Sequence, residues 1–441
     1  MRKYVIGLLL FGLLAPVAGV RAMLGTIDNT PAATLLLPYF EVDLGNPNGI
    51  TTLFAINNTG RGRSVEDQFP NFASAALVHV TLWTDLGVPT FAFDVYLTGF
   101  DVQTINVRDI FNGVLPSTAS AGQDPTDTIS PRGPISQDIN FASCSKDGQL
   151  PPDDIFNRSK MPYPNPALTA QEIAALRNAH TGQASSLLGD QCGSVNHGDN
   201  IARGYITIDD VTQCTSFSIF PSIPGYFPTN QGVAGGRNLH SGDFFLVDPS
   251  QNFAQGDTLV HIEASFNLNS GYTFYGRLVN GAASDNREPL ATRWIAPYRQ
   301  GGGSATTTDL LVWRDPTVPG PLTGFACGSL PAPFPLGQTQ IVARDGEGNA
   351  TSINPANPPF PYATQRVRVG GPALPVAPRA GWLQLDLNTA VGGGLFGGRS
   401  QSHVTVLQSS QGRFSGGHTA IQLDSARGLI PSSQPLAAER P

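Results

Sequence analysis

One short phrase is written twice in this chain, and it constrains the fold more than any other stretch. Gly204-Tyr205-Ile206-Thr207-Ile208-Asp209 returns as Gly381-Trp382-Leu383-Gln384-Leu385-Asp386. Each copy runs glycine, aromatic, then alternating aliphatic and polar residues closed by aspartate. Alternation with a period of two marks a strand with one buried face. Each copy therefore reads as an inner strand of one of two related β domains.

Other phrases recur in the same order. Leu35-Leu36-Leu37-Pro38-Tyr39 pairs with Trp294-Ile295-Ala296-Pro297-Tyr298, and Thr51-Thr52-Leu53-Phe54-Ala55-Ile56 with Thr308-Asp309-Leu310-Leu311-Val312-Trp313. Thr84-Asp85 with Gly87 is echoed by Arg344-Asp345 with Gly346 and Gly348, and Ser250-Gln251-Asn252-Phe253 by Ser410-Gln411-Gly412-Arg413-Phe414. Order-preserving similarity of this kind points to tandem duplication.

Charged residues make up 13% of the chain, against about a quarter in an ordinary globular protein. With 49 Gly and 37 Pro, this composition suits short strands joined by turns rather than helices. The net charge of -7 and the lack of a basic patch argue against nucleic acid as a partner.

Arg2 and Lys3 precede an apolar run from Val5 to Leu14 and the small-residue site Val20-Arg21-Ala22. This is the pattern of a secretory signal peptide, so the chain is expected to be exported: periplasmic, at the cell surface or extracellular. No later stretch reaches the length of a transmembrane helix. An outer-membrane barrel needs strands of about ten residues with a lipid-facing band, and several strands here are shorter. In an exported chain Cys144, Cys192, Cys214 and Cys327 are expected to form disulfides. Three connectivities are open. The spacing favours Cys144–Cys192 inside one loop-rich region, with Cys214–Cys327 tying the domains together.

Taken in order, residues 1–22 are the signal peptide, 23–285 a first sandwich domain, 286–428 a second, and 429–441 a flexible tail. Strands are expected at Ala33–Phe40, Thr51–Asn57, Val78–Trp83, Phe91–Leu97, Val102–Phe111, Asp243–Asp248, Thr258–Ala264 and Tyr272–Leu278. Pro38 suits an edge strand or a break. Residues from 113 to about 200 form an insertion, within which Thr169-Ala170-Gln171-Glu172 is a capping box. Ile173, Leu176 and His180 follow at helical spacing, with Gly182 as the stop. Asn280 to Leu290 reads as a polar connection between domains.

Catalytic motifs are weak. No serine has glycine two residues away on both sides, as a hydrolase elbow requires, and the seven histidines make no His-Glu-x-x-His. His79, sharing a face with Trp83, and His261, two residues before Glu263, read as polar groups on solvated strand faces. Asp209 and Asp210 are adjacent and point to opposite faces, while Glu263 and Asp248 could meet only across neighbouring strands. Calcium has better candidates in oxygen-rich turns: Asp43, Asn46 and Asn48; Asp345, Glu347 and Asn349; and Asn196, Asp199 and Asn200. The same residues also serve ordinary tight turns. Trp83, Trp294, Trp313, Trp382 and Tyr205 fall on strands. Those on outer faces are expected to cover the sheet under a loop or the neighbouring domain.

In strand rhythm, and in phrases such as Thr51-Thr52-Leu53-Phe54-Ala55-Ile56-Asn57-Asn58, the mature chain resembles secreted bacterial proteins of unassigned function with tandem immunoglobulin-like β-sandwich domains. The resemblance implies fold and export and carries over no functional residue. The expectation is an all-β, non-catalytic protein with a structural, adhesive or binding role toward protein or glycan. The rivals are a secreted polysaccharide-acting hydrolase and a calcium-stabilised carbohydrate binder.

Overall fold

The computed structural model describes residues 30–60, 76–97, 100–116, 167–212, 219–227, 232–265, 273–279, 285–302, 305–315, 323–330, 340–353, 360–387, 401–410 and 414–423. Residues 1–29, including the stretch expected to be a signal peptide, together with Cys144, Cys214 and the C-terminal residues from 424, lie outside them.

The first half contains β1 (Thr34–Asp43), β2 (Thr51–Asn58), β3 (Ala76–Thr84), β4 (Pro89–Leu97) and β5 (Val102–Asn106). Two helices follow, α1 (Val107–Phe111) and α2 (Ala170–His180), then β6 (Ile201–Val211), β7 (His240–Asp248), β8 (Phe253–Thr258) and β9 (Val260–Ile262). The second half contains β10 (Arg293–Arg299), β11 (Thr306–Arg314), β12 (Gln340–Asp345), β13 (Ala350–Ile353) and β14 (Thr364–Arg368). It ends with β15 (Ala380–Asp386), β16 (Ser402–Ser410), β17 (Ser415–Thr419) and β18 (Ile421–Gln422).

All sheet pairings are antiparallel, and the chain is all-β in architecture. In the first half the sheets are ordered β4-β3-β6-β1-β9 and β5-β2-β7-β8. In the second they are β13-β12-β15-β10-β18 and β14-β11-β16-β17. Adding nine to each strand number of the first half reproduces the second. β1 and β2 lie in different sheets, whereas the immunoglobulin order places the first two strands side by side.

The repeated phrase falls on equivalent strands, β6 and β15. Thr84 faces Gly204 and Asp345 faces Gly381. At both glycines a Cβ would strike a cross-strand carbonyl oxygen, at 2.0 Å from that of Trp83 and 1.8 Å from that of Arg344. Glycine lets the backbones approach that closely. We expect Gly204→Ala to cost about 2 kcal/mol in urea unfolding, in the range for overpacking, and Gly416→Ala, in open space on β17, to stay within about 0.5 kcal/mol. Equal effects would remove this explanation of the repeat.

The other echoes need small corrections. Leu37 faces Ile206 and Ala296 faces Leu383, so Pro38 and Pro297 are equivalent. A register shift between Leu37 and Phe40 makes Tyr39 an extra residue, and Phe40, not Tyr39, takes the place of Tyr298. Pro38 therefore sits at a bulge in an internal strand, not at an edge or a break. It is tolerated because β9 pairs only with Thr34–Leu36 and leaves that side of β1 open beyond them. In β2, Thr52 Oγ1 accepts from Glu41 N and donates to Glu41 O; in β11, Thr308 Oγ1 does the same with Arg299. The threonine echo is thus one residue out, with Thr52 equivalent to Thr308. The Thr84 echo is out by one as well, since Thr84 matches Asp345.

Other expectations change too. The strand expected over Val102–Phe111 stops at Asn106, whose side chain caps α1 by accepting from Arg108 N. Residues 273–278 are turns, and β8 was not anticipated. Residues 285–290 are largely buried rather than a solvated connection: Asp285 and Arg287 are each 2% exposed. The long insertion lies between β5 and β6, and its counterpart between β14 and β15 is short.

The described insertion packs through α2. Thr169 and Glu172 form the capping box, and Leu176, Ala179 and His180 are buried. His180 lies against Phe40 and Phe111, with Nδ1 2.9 Å from Arg203 O and Nε2 2.8 Å from Thr90 Oγ1. Burial lowers its pKa to about 4. The neutral ring thus stabilises the fold fully above pH about 6.5, and that contribution is lost as pH falls from 6.5 toward 4. Stability of His180→Gln measured against pH in this window is expected to fall about 1.4 kcal/mol per unit less steeply than wild type. Parallel curves would contradict a neutral buried His180.

Each half has its own core. Leu35, Leu37, Ile206 and Ile208 pack with Phe54, Ile56, Phe244 and Leu246 between the first two sheets. Trp294, Leu310, Val312, Leu383, Leu385 and Val406 do so in the second half. The two cores are not separate. Leu311 and Leu407, on the other face of the β11 sheet, belong to the first core. Trp313 joins a third cluster with Trp83, Tyr205, Tyr226 and Phe274. The halves therefore meet along a buried seam involving β1, β6, β8, β11, β14 and β17.

Candidate functional site

Tyr205, the aromatic residue of the first copy of the repeat, serves this seam. Trp83 stacks on Tyr205, with ring centroids 5.6 Å apart and planes 3° apart. Trp313 of the second half meets the edge of Tyr205 at 5.9 Å. Trp294 instead fills the second core, donating to Ser402 Oγ, and Trp382 is half-buried on the outer face of β15.

The outer face of β3 and β6 is not solvated: Tyr226, Tyr275 and Phe274 roof it, and His79 beneath them is 0% exposed. His261 is also buried, at 7% exposed, but on the inner face, because it pairs with Leu35 of the first core while its neighbours Val260 and Ile262 join the roofed cluster. Neither histidine lies on the solvated strand face that the sequence suggests. His79 has Asp94 Oδ1 at 2.6 Å on one ring nitrogen and Ile219 O at 2.8 Å on the other. Burial opposes charge on this ring, yet the two acceptors raise its pKa. Asp209 accepts from Thr34, Tyr226 and Tyr275 under the same roof. Asp210 points the other way and accepts from Arg237. The two aspartates are thus divided between faces, as their adjacency requires. Asp248 and Glu263 do not meet: Asp248 faces Phe253 at one end of the β7–β8 ladder, and Glu263 lies past Thr258 at the other. Five ladder residues alone separate them by roughly 16 Å.

The calcium turns hold their oxygens in other bonds. Asp43 Oδ1 accepts from Gly45 N and Asn46 N, and Asn46 Oδ1 from Asn48 N. The Arg108 guanidinium donates to the carbonyls of Asp43, Asn46, Gly49 and Ile50. A protein cation therefore occupies the carbonyl cluster of this turn. Asp345 accepts from the backbones of Glu347 and Asn349 and from the Asn349 side chain, and these bonds lower its pKa. In the third turn Asp199 pairs with Arg203 and Asn196 caps Gly198 N. Among the described residues no group of three His, Cys, Asp or Glu side chains is placed to hold a metal ion.

The disulfide differs from the pairing expected. Cys192 bonds Cys327, joining the insertion to a loop of the second half. Sequence spacing could not reveal this, because the partners meet only once the halves dock. Nearby, buried Asp85 accepts from His197 Nε2 at 2.9 Å, and His197 lies edge-on to Tyr362. Burial raises the Asp85 carboxyl, and His197 acts against that. Among the described residues no hydroxyl or thiol bonds the outer nitrogen of His197.

Further along the seam lies a chain of charges. Tyr39 donates to Glu41, Arg366 bridges Glu41 and Asp309, and Arg368 also holds Asp309. Burial alone would raise the Asp309 carboxyl; the two arginines hold it below its ordinary value. This chain backs a cleft of about 200 Å³ to which both halves contribute. Asp248, Gln251 and Phe253 form one wall, and Thr307, Arg368 and Ser409 face them from the other half. Sequence reasoning weighed Asp248 only as a carboxylate partner for Glu263 and missed the others as a site, although the alternation Arg366-Val367-Arg368 already placed two arginines on one strand face.

Among the described residues no helix is long and apolar enough to cross a membrane. No protein-family model matches the chain, and neither a curated protein nor a solved structure shows significant similarity to it.

Proposed function

We propose that this chain is an exported, non-catalytic protein with a structural, adhesive or binding role at the cell surface or in the periplasm. The observation that carries this reading is the seam cleft, a concave site between two β units with hydrogen-bonding groups on both walls. Ligand sites favour such junctions. Several buried titratable groups, by contrast, are engaged with one another: His79 with Asp94, Asp210 with Arg237, and Arg277 with Asp315. Export is supported by the N-terminal pattern and by a disulfide, which persists in oxidising compartments. Each half is read as an immunoglobulin-like sandwich in the architectural sense, two antiparallel sheets about one core, with its own strand order.

The hydrolase reading is weaker, because among the described residues Asp248 is the one carboxylate lining the cleft and sugar hydrolysis uses two. The test is a screen of the mature protein on glycans and cell-surface extracts, with calcium and with chelator, beside a polysaccharide hydrolysis assay. Retention without turnover is expected. Turnover abolished by Asp248→Asn would replace this reading with the hydrolase. Retention lost on chelation would move it to a calcium-stabilised binder using the Asp43 and Asp345 turns.

A further inference from the structure

Resting on the binding reading, we propose that the seam cleft takes a single neutral sugar residue, a pyranose ring held by its vicinal hydroxyls. Size sets the first limit. At about 200 Å³ the cleft is smaller than the roughly 300–1,000 Å³ of sites for drug-sized ligands, and it suits one ring.

Unfilled hydrogen-bonding capacity sets the chemistry. Arg368 uses Nε and Nη2 on Asp309, and its Nη1 has no partner among the described residues. Its side chain is 50% exposed. On the opposite wall Asp248 Oδ1 caps a turn by accepting from the Ser250 N–H and hydroxyl, and Oδ2 has no partner among the described residues. The cleft thus offers a charged donor on one side and a charged acceptor on the other. An ammonium only donates and a phosphate dianion only accepts, whereas hydroxyls do both. Gln251 adds an amide with both capacities, and the paired hydroxyls of Thr307 and Ser409 lie 2.9 Å apart.

The charge balance excludes an anion-binding design. Arg366 and Arg368 are matched by Glu41 and Asp309, and Asp248 adds a further negative charge. No net positive field remains to hold a uronate or phosphate. Phe253 lines the same cleft; its ring carries the Arg366 guanidinium 5.5 Å from its centroid and offers its remaining apolar surface to the C–H face of a pyranose.

Ala305 lines the cleft at φ 43°, a conformation uncommon for a non-glycine residue.

The test is calorimetric titration of the full mature chain with methyl glycosides of glucose, galactose, mannose and N-acetylglucosamine, beside glucuronate and inorganic phosphate. At least one neutral glycoside is expected to bind with a millimolar Kd, as a ligand this small permits. Arg368→Ala and Asp248→Asn should each weaken it at least about tenfold, the effect of losing a hydrogen bond to a charged group. Both variants should fold. Arg366 still pairs Asp309 in the first, and asparagine retains an oxygen for the Ser250 cap in the second. Tighter binding of glucuronate or phosphate, or glycoside binding untouched by both variants, would overturn the proposal. So would failure of every glycoside. If surface extracts still retain the protein in that last case, the binding reading stands and only the sugar site falls.

Discussion

Replacing both Cys192 and Cys327 with alanine is expected to destabilise the protein by about 5 kcal/mol in urea unfolding. The partners are 135 residues apart, and in the chain-entropy account closing a loop of that length removes about this much freedom from the unfolded chain. The native bond also anchors local structure. Cys192 and Phe325 exchange backbone hydrogen bonds, each 2.9 Å. Phe325 and Tyr362 pack about Leu86 with Val195, so groups from both halves meet beside the disulfide. The double alanine variant isolates this one bond and leaves Cys144 and Cys214 untouched. A loss below about 1 kcal/mol, or a non-reducing peptide map lacking the Cys192–Cys327 link, would contradict the seam as described.

The second large effect is expected at Asp309. It is 4% exposed and carries contacts from both Arg366 and Arg368. Asp309→Ala removes the anion and leaves its cations behind. Breaking a buried pair in this way typically costs about 3–5 kcal/mol. The lower end, about 3 kcal/mol, applies here, because Arg368 is half exposed and Arg366 keeps Glu41. Removing Arg366 as well, in Asp309→Ala/Arg366→Met, should recover part of the loss, since the stranded charge goes with it. Additive losses in the double variant would mean that the two side chains do not act as a pair.

Much of the fold was legible because it depends on periodicity. Alternation in Tyr205–Asp209 and Trp382–Asp386 located the central strand of each half, and the glycine before each marked a backbone contact that tolerates no Cβ. Thr169 and Glu172 disclosed α2 because a capping box is local chemistry. What stayed hidden depended on docking. Nothing near His79 announces that Tyr226 and Tyr275 will roof it, so a buried imidazole read as a surface one. The strand signal over Val102–Phe111 ran on through α1 because Val107, Ile110 and Phe111 are apolar and buried in either reading. The one-residue offsets at Thr52 and Thr84 follow from a bulge at Tyr39 and from turn lengths that composition does not encode. The cleft was the least visible feature, since Asp248 and Arg368 come from different halves. The calcium turns were correctly placed as turns, but sequence could not show that Arg108 reaches into the first of them.

Two units of identical strand order are fused through a shared seam, which also forms the cleft proposed as a binding site. Differential scanning calorimetry of the oxidised chain tests this most directly. With Leu311, Leu407 and Trp313 embedded in clusters of the first half, the halves should unfold together. One transition is predicted, with calorimetric and van't Hoff enthalpies equal. Two separable transitions would show that each half melts by itself, and would contradict the seam as the element that makes the protein one body.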